Sequence, residues 1–225
     1  MRYTAMGSEK GWQTVVLGDE RYWCRLVYGW SFDKGLGGWF IEGESPVYVE
    51  NGRLYMDATT EVSTVSTAWC PRVFEGDLIL EFDACVVPPE RSSNINFFMY
   101  ASELDGGDVL DNPRPSGAYK LYHNINNYIF TFVNDKGKGR YRMRRCPGFK
   151  LIHEVYVDHP AIINKVYHIQ ISKIGGRIRY FVDGEKIHDY VDEKPHNRGR
   201  MAFRTFRTKL WWNNFKVYQE ITRKE

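Results

Sequence analysis

The side chains best suited to chemistry lie in the stretch from Gly117 to Arg145, GAYKLYHNINNYIFTFVNDKGKGRYRMRR. It carries Tyr119, Tyr122, His123 and Asn124, then Arg140, Arg142 and Arg144 at alternate positions. Upstream, Asn94 and Asn96 add amides at the strand period. These are the types that β-elimination at a uronic acid requires. A base removes the C5 proton, a Tyr or His protonates the leaving oxygen, and Arg, Asn or Gln neutralises the substrate carboxylate so that the enolate-like intermediate can form. If Gly117 to Asn124 is a regular strand, Tyr119 and His123 share one face and Lys120, Tyr122 and Asn124 the other. Tyr122 and His123 would then enter one groove only through a bulge. His123 and Tyr119 are therefore the catalytic candidates, and Asn94, Asn96, Tyr122, Arg140, Arg142 and Arg144 the substrate-binding ones.

Each feature also has a plainer reading. Guanidinium binds carboxylates in a planar, bidentate way, so three alternating arginines suit an anionic ligand. The same three would equally protect an edge strand from aggregation. His123 could be a hydrogen-bonded strand histidine beside aromatic rings. Trp39, Trp211 and Trp212 are expected in the core or at its rim. No cofactor is expected. If a metal binds, calcium or another divalent ion held by Asp105, Asp108 and Asp111 is the candidate, although their spacing matches no EF-hand. His153, Glu154 and His159 do not form a zinc-binding helix motif, because LIHEVYV alternates like a strand. There is no Gly-rich phosphate loop and no Gly-x-Ser-x-Gly elbow.

The elements that must position these groups read as strands. Two alternating runs joined by Asn51-Gly52 predict a hairpin over Val47 to Ala58. Asp77 to Val87 predicts one long strand, with Leu78, Leu80, Phe82, Ala84 and Val86 on one face and Ile79, Glu81, Asp83, Cys85 and Val87 on the other. In Ser93 to Ser102, Asn94, Asn96, Phe98 and Tyr100 alternate with Ile95, Phe97, Met99 and Ala101. YHIQISKIGGRIRYFVDGEKIHDY predicts three strands, and GRMAFRTF and LWWNNFKVYQ two more. Strand-like runs recur about every 8–12 residues without a helical period of useful length, the spacing of a sandwich. The expected fold is an all-β, two-sheet antiparallel jelly roll. One domain spanning 1–225 is expected, with residues 1–29 as an N-terminal arm or edge strands.

With 43% hydrophobic and 26% charged residues, the chain suits a globular fold with a substantial core. A net charge of +3, with acids and bases interleaved, makes no case for nucleic acid. No apolar run approaches the ~20 residues that span a bilayer, and the N-terminus shows no apolar signal region, so a cytoplasmic protein without a membrane partner is expected. Cys24, Cys70, Cys85 and Cys146 lie far apart and read as buried thiols. Oligomeric state is left open.

The closing stretch GGRIRYFVDGEKIHDY, GRMAFRTF and LWWNNFKVY resembles the last strands of concanavalin A-like lectin/glucanase sandwiches. FDKGLGGWFIEGE, VENGRLYMDA, SNINFFMYAS, GAYKLYHNINNYIFTF and RYRMRRCPGFKLIHE together resemble the uncharacterised YesU-like bacterial family of that fold, with residues 30–218 as the family-like core. Members occur with pectin (rhamnogalacturonan) utilisation proteins, so the resemblance implies an acidic oligosaccharide as substrate or ligand. Retaining glucanases of this fold place paired carboxylates on one strand as Glu-x-Asp-x-x-Glu or one residue shorter. Glu81 and Asp83 match its first two positions, but Cys85 and Val86 stand where the acid/base carboxylate belongs, which argues against that hydrolysis. Three functions remain: a carbohydrate lyase or other glycan-cleaving enzyme, a non-catalytic lectin-like module, and an interaction sandwich without sugar.

Overall fold

The computed structural model describes residues 11–60, 63–89 and 92–224. The strands β1 (Trp12–Leu17), β2 (Glu20–Trp30), β3 (Phe40–Glu42), β4 (Val47–Glu50) and β5 (Arg53–Asp57) precede the longer β6 (Val65–Glu75), β7 (Leu78–Val87) and β8 (Ile95–Ser102). A loop and a 3-10 helix over Tyr119–Asn124 lead to β9 (Asn126–Asp135), β10 (Lys138–Cys146) and β11 (Lys150–Val157). Then follow β12 (Val166–Ile174), β13 (Arg177–Val182), β14 (Glu185–Val191), β15 (Arg198–Phe206) and β16 (Lys209–Lys224). They form two antiparallel sheets, as expected. One has nine strands in the order β1-β2-β16-β7-β12-β13-β14 with β5 and β4 branching from β16, and the other seven in the order β11-β10-β9-β8-β15-β6-β3.

The local signals explain much of this. Asn51 and Gly52 have φ of 50° and 67°, the pair of positive values a type I′ turn needs, and they close β4 onto β5. Asp183-Gly184 does the same between β13 and β14. On β7, Leu78, Leu80, Phe82, Ala84 and Val86 all enter the core between the sheets, as their alternation predicts. There they meet Ile95, Phe97 and Met99 of β8, and Phe203 of β15 lies stacked between Trp39 and Trp212 at 5.0 and 4.4 Å. Such pairs add to the ~25 cal/mol gained per Å² of apolar burial.

Of the two readings of the N-terminal region, arm or edge strands, residues 12–30 take the strand form and extend the nine-stranded sheet as β1 and β2, with β1 at its edge, whereas residues 1–10 lie outside the described residues. Two expectations are corrected. Tyr100 has a φ of 55°, and the register slips between Met99 and Ser102, so Tyr100 joins the core and Ala101 takes the outer face. A bulge breaks strict alternation in this way because two residues then oppose one. Finally, β10 is not an edge strand, since β11 covers it. All four cysteines are buried free thiols.

On the outer face of the nine-stranded sheet, Glu81 accepts from Tyr218 Oη (2.8 Å) and Lys216 Nζ (3.0 Å), and Asp83 from Asn214 (2.6 Å) and His168 (2.8 Å). Hydrogen bonds that His168 donates to Asp83 and Glu81 lift its pKa to about 9. A raised histidine contributes stability that is fully present below its ordinary value near 6.5 and is lost as pH climbs through about 9. Thermal unfolding followed across this window should show a fall in midpoint for the native chain that His168→Gln largely removes.

Candidate functional site

A single polar row crosses the whole seven-stranded sheet. Directly paired residues place Glu42 beside Thr67, Thr67 beside Arg204, Arg204 beside Asn96, Asn96 beside Thr131, Thr131 beside Arg142 and Arg142 beside Glu154. Paired residues on neighbouring antiparallel strands share a face. Here it is the outer one. The middle of the row floors a hollow of about 460 Å³, walled by Tyr119, Lys120 and His123 of the 3-10 helix, by Phe149 of the β10–β11 turn, and by Asn94, Val65 and Phe206.

The helix is where the strand expectation for Gly117 to Asn124 fails. Spacing by three puts Tyr119 and Tyr122 on the same side of a 3-10 helix. Tyr122 is fully buried against Trp69 and Phe98, and its hydroxyl donates to Glu42 at 2.6 Å. Glu42, itself 1% exposed, also accepts from Trp69 Nε1 at 2.8 Å and from the backbone N–H of Arg114. One carboxylate thus fixes β3, β6, the preceding loop and the helix. The Asn127 amide closes the helix end by donating to the Tyr122 carbonyl at 2.9 Å, and the Gly148 N–H donates to the His123 carbonyl at 2.9 Å. Gly117, with φ of 60°, turns the chain into the helix where an added Cβ would stand 3.0 Å from Gly43 Cα.

Tyr119 and His123 therefore meet above the sheet through the helix turn, not through a shared strand face. Their ring centroids are 4.6 Å apart, edge to face, and His123 lies flat on Phe149 at 3.5 Å. Burial pushes the His123 pKa down to about 4, and Arg144, Arg204 and Lys120 reinforce this, so the imidazole is neutral at pH 7. Burial holds the Tyr119 phenol above its ordinary value, so it keeps its proton.

Among the other candidates, Asn94, Asn96 and Arg142 line the hollow. Arg142 Nε donates to Thr131 Oγ1 at 3.2 Å, and burial lowers its pKa. Arg144 does not line the hollow but lies behind its wall, stacked 4.1 Å from the Phe149 ring centre. Tyr122 lies beneath it as an anchor, and Arg140 is turned away into ion pairs with Glu154 and Asp135 at 2.5 and 3.2 Å. The loop acids do not gather around a cation. Asp108 is clasped by Arg200 at 2.5 and 2.6 Å, and among the described residues no three His, Cys, Asp or Glu side chains form a set able to hold a metal ion.

The residue that sequence reasoning missed is Arg204. It is 1% exposed, its centre lies 4.4 Å from the Tyr119 ring, and its Nη2 donates to the Gly117 carbonyl at 3.2 Å. Among the described residues it has no carboxylate partner, and its Nε finds no acceptor. Thr67 Oγ1, Asn94 Oδ1, Asn96 Oδ1 and His123 Nε2 are likewise buried and unpartnered. Its only sequence signal was a cation between Phe203 and Thr205 in a closing strand.

Fold and site together define a concanavalin A-like jelly-roll sandwich bearing a cationic hollow on one sheet. Residues 61–215 match DUF6250, described as a domain of unknown function, and the chain belongs to that family. No curated protein matches it by sequence. In structure it is similar to a protein of unknown function with a galectin-like fold from Bacillus subtilis, with a TM-score of 0.76, 17% identity, and 95% of this chain and 100% of that one covered. It is also similar to an endo-β-1,3-glucanase from Pyrococcus furiosus (TM-score 0.63, 12% identity, 94% and 99% covered). A third is the carbohydrate-binding module CBM66 from Bacillus subtilis (0.57, 12%, 81% and 96%). At such identities the likeness is one of fold.

If Glu42 organises the site through Tyr122, Tyr122→Phe should lower stability by about 1–3 kcal/mol in denaturant unfolding, the cost of leaving a buried carboxylate short of a donor.

Proposed function

We propose that the chain takes an acidic oligosaccharide of the pectic, rhamnogalacturonan type into the hollow and cleaves it by β-elimination. The observation that carries this reading is Arg204, a buried guanidinium without a carboxylate partner among the described residues, beside a neutral histidine and a protonated tyrosine. An unpaired buried charge costs several kcal/mol, which an anionic ligand would offset. The motif resemblance to YesU-like proteins supports a pectic context, and fold neighbours that cleave or bind glycans support sugar as the ligand class.

In this reaction His123 Nε2 takes the C5 proton of a uronate. The electrons of the C5–H bond form the C4=C5 double bond as the C4–O bond breaks, and the Tyr119 hydroxyl gives its proton to the departing oxygen. His123 then returns a proton to Tyr119, whose ring is its neighbour at 4.6 Å. No water is consumed. Arg204 and the Asn96 amide neutralise the carboxylate while charge builds on it. An imidazole with a pKa near 4 is a weak base, which favours a second reading, a lectin-like module that only binds. A bound carboxylate beside His123 raises that pKa and strengthens the base.

Incubation with pectic and glucuronic oligosaccharides, followed by absorbance and mass, separates the readings. Elimination yields unsaturated uronides of unhydrated mass, with activity down about a hundredfold or more in His123→Ala and Tyr119→Phe while binding persists. The kcat/KM profile should fall as pH drops through about 4, where His123 of the free protein gains its proton. Hydrated products would point to hydrolysis instead, and affinity without products to the binding module.

A further inference from the structure

The hollow contains two arginines that do not converge. Arg204 on β15 and Arg142 on β10 stand on the same row with β8 and β9 between them, so their Cα atoms are about 14 Å apart at ordinary strand spacing. Their side chains do not close that gap fully. Arg204 reaches to the Gly117 carbonyl, and Gly117 packs against Gly43 just past the end of β3, on the far side of the sheet from Arg142. Arg142 leans only one strand inward, to Thr131. Tyr119 lies between them, stacked above Phe98 of β8 and within reach of both positive fields. No carboxylate lines the hollow among the described residues.

Two like charges in a partly dry pocket repel each other, and one carboxylate can neutralise only one of them. The unpartnered acceptors Asn96 Oδ1 on the floor and Asn94 Oδ1 on the wall are lining polar atoms that sugar hydroxyls would satisfy. We propose that the hollow reads two carboxylates at once: its ligand is an oligosaccharide with two acidic units, one on Arg204 and one on Arg142, whose intervening linkage lies under Tyr119 and His123. This rests on the acidic-sugar reading and narrows it. A single uronic acid or a neutral glucan would leave one guanidinium unmet.

The test pairs changes in the sugar with a change in the protein. Calorimetric titration of the non-cleaving His123→Ala chain uses a galacturonic acid trisaccharide and two versions of it, each with one end-unit carboxylate reduced to the alcohol. A hydrogen-bonded charge pair lost at either end should weaken binding about tenfold or more. Adding Arg142→Gln should abolish the penalty for one reduced sugar and leave the penalty for the other in place, a coupling that general charge attraction would not produce. Arg142 is half-buried and, among the described residues, its side chain donates one hydrogen bond, to Thr131, and forms no ion pair, so its replacement should leave the fold intact, which thermal unfolding checks. Equal affinity for all three sugars, or penalties that Arg142→Gln leaves untouched, would overturn the two-carboxylate inference while the acidic-sugar reading stands. If the triacid itself does not bind, both fall.

Discussion

A guanidinium withdrawn from water, with no acid among the described residues to meet it, sets the terms for this molecule. Arg204 is held by the faces of Tyr119 and Tyr122 and by one backbone carbonyl, contacts that steady a cation but do not neutralise it. Tyr122 stays in place because Glu42 grips it together with Trp69, so this acid acts on Arg204 at one remove. Had Glu42 met Arg204 directly, the hollow would be an ordinary buried ion pair. Spending that carboxylate on the tyrosine and the loop leaves the positive charge available to a visitor.

The two outer faces show the contrast. On the nine-stranded sheet, Glu81 and Asp83 are matched by His168, Lys216, Tyr218 and Asn214, and the cluster is complete in itself. Hydrogen bonds from His168, Tyr218 and Lys216 overcome the effect of burial and pull Glu81 down to about 2, so it stays ionised at any ordinary pH. The fragment of a glucanase motif on β7 therefore stabilises its own sheet, on the opposite side of the sandwich from the hollow.

The fold was legible because it rests on local rules. Asn51-Gly52 and Asp183-Gly184 dictate their turns, and the five alternate apolar residues of β7 could face only the core. The site was legible only in its residue types. Tyr119 and His123 do come together, but on a helix turn set by the reach of Tyr122 to Glu42, a contact 80 positions apart that no local pattern reveals. Tyr100 changed faces for a similar reason, since its bulge answers a register slip against β9 and β15. Arg204 was hidden by its company: in a strand that also bears Arg198 and Arg200, nothing local distinguishes the one arginine that is sealed from water.

The polar row belongs to paired strands, whereas Tyr119 and His123 belong to one short helix between Gly117 and Asn127. The floor of the hollow and its wall are therefore written in separate pieces of chain. Changes confined to Tyr119, Lys120 and His123 would reshape the wall while Tyr122 keeps its hold on Glu42, and changes on the strand row would reshape the floor while the helix stays as it is.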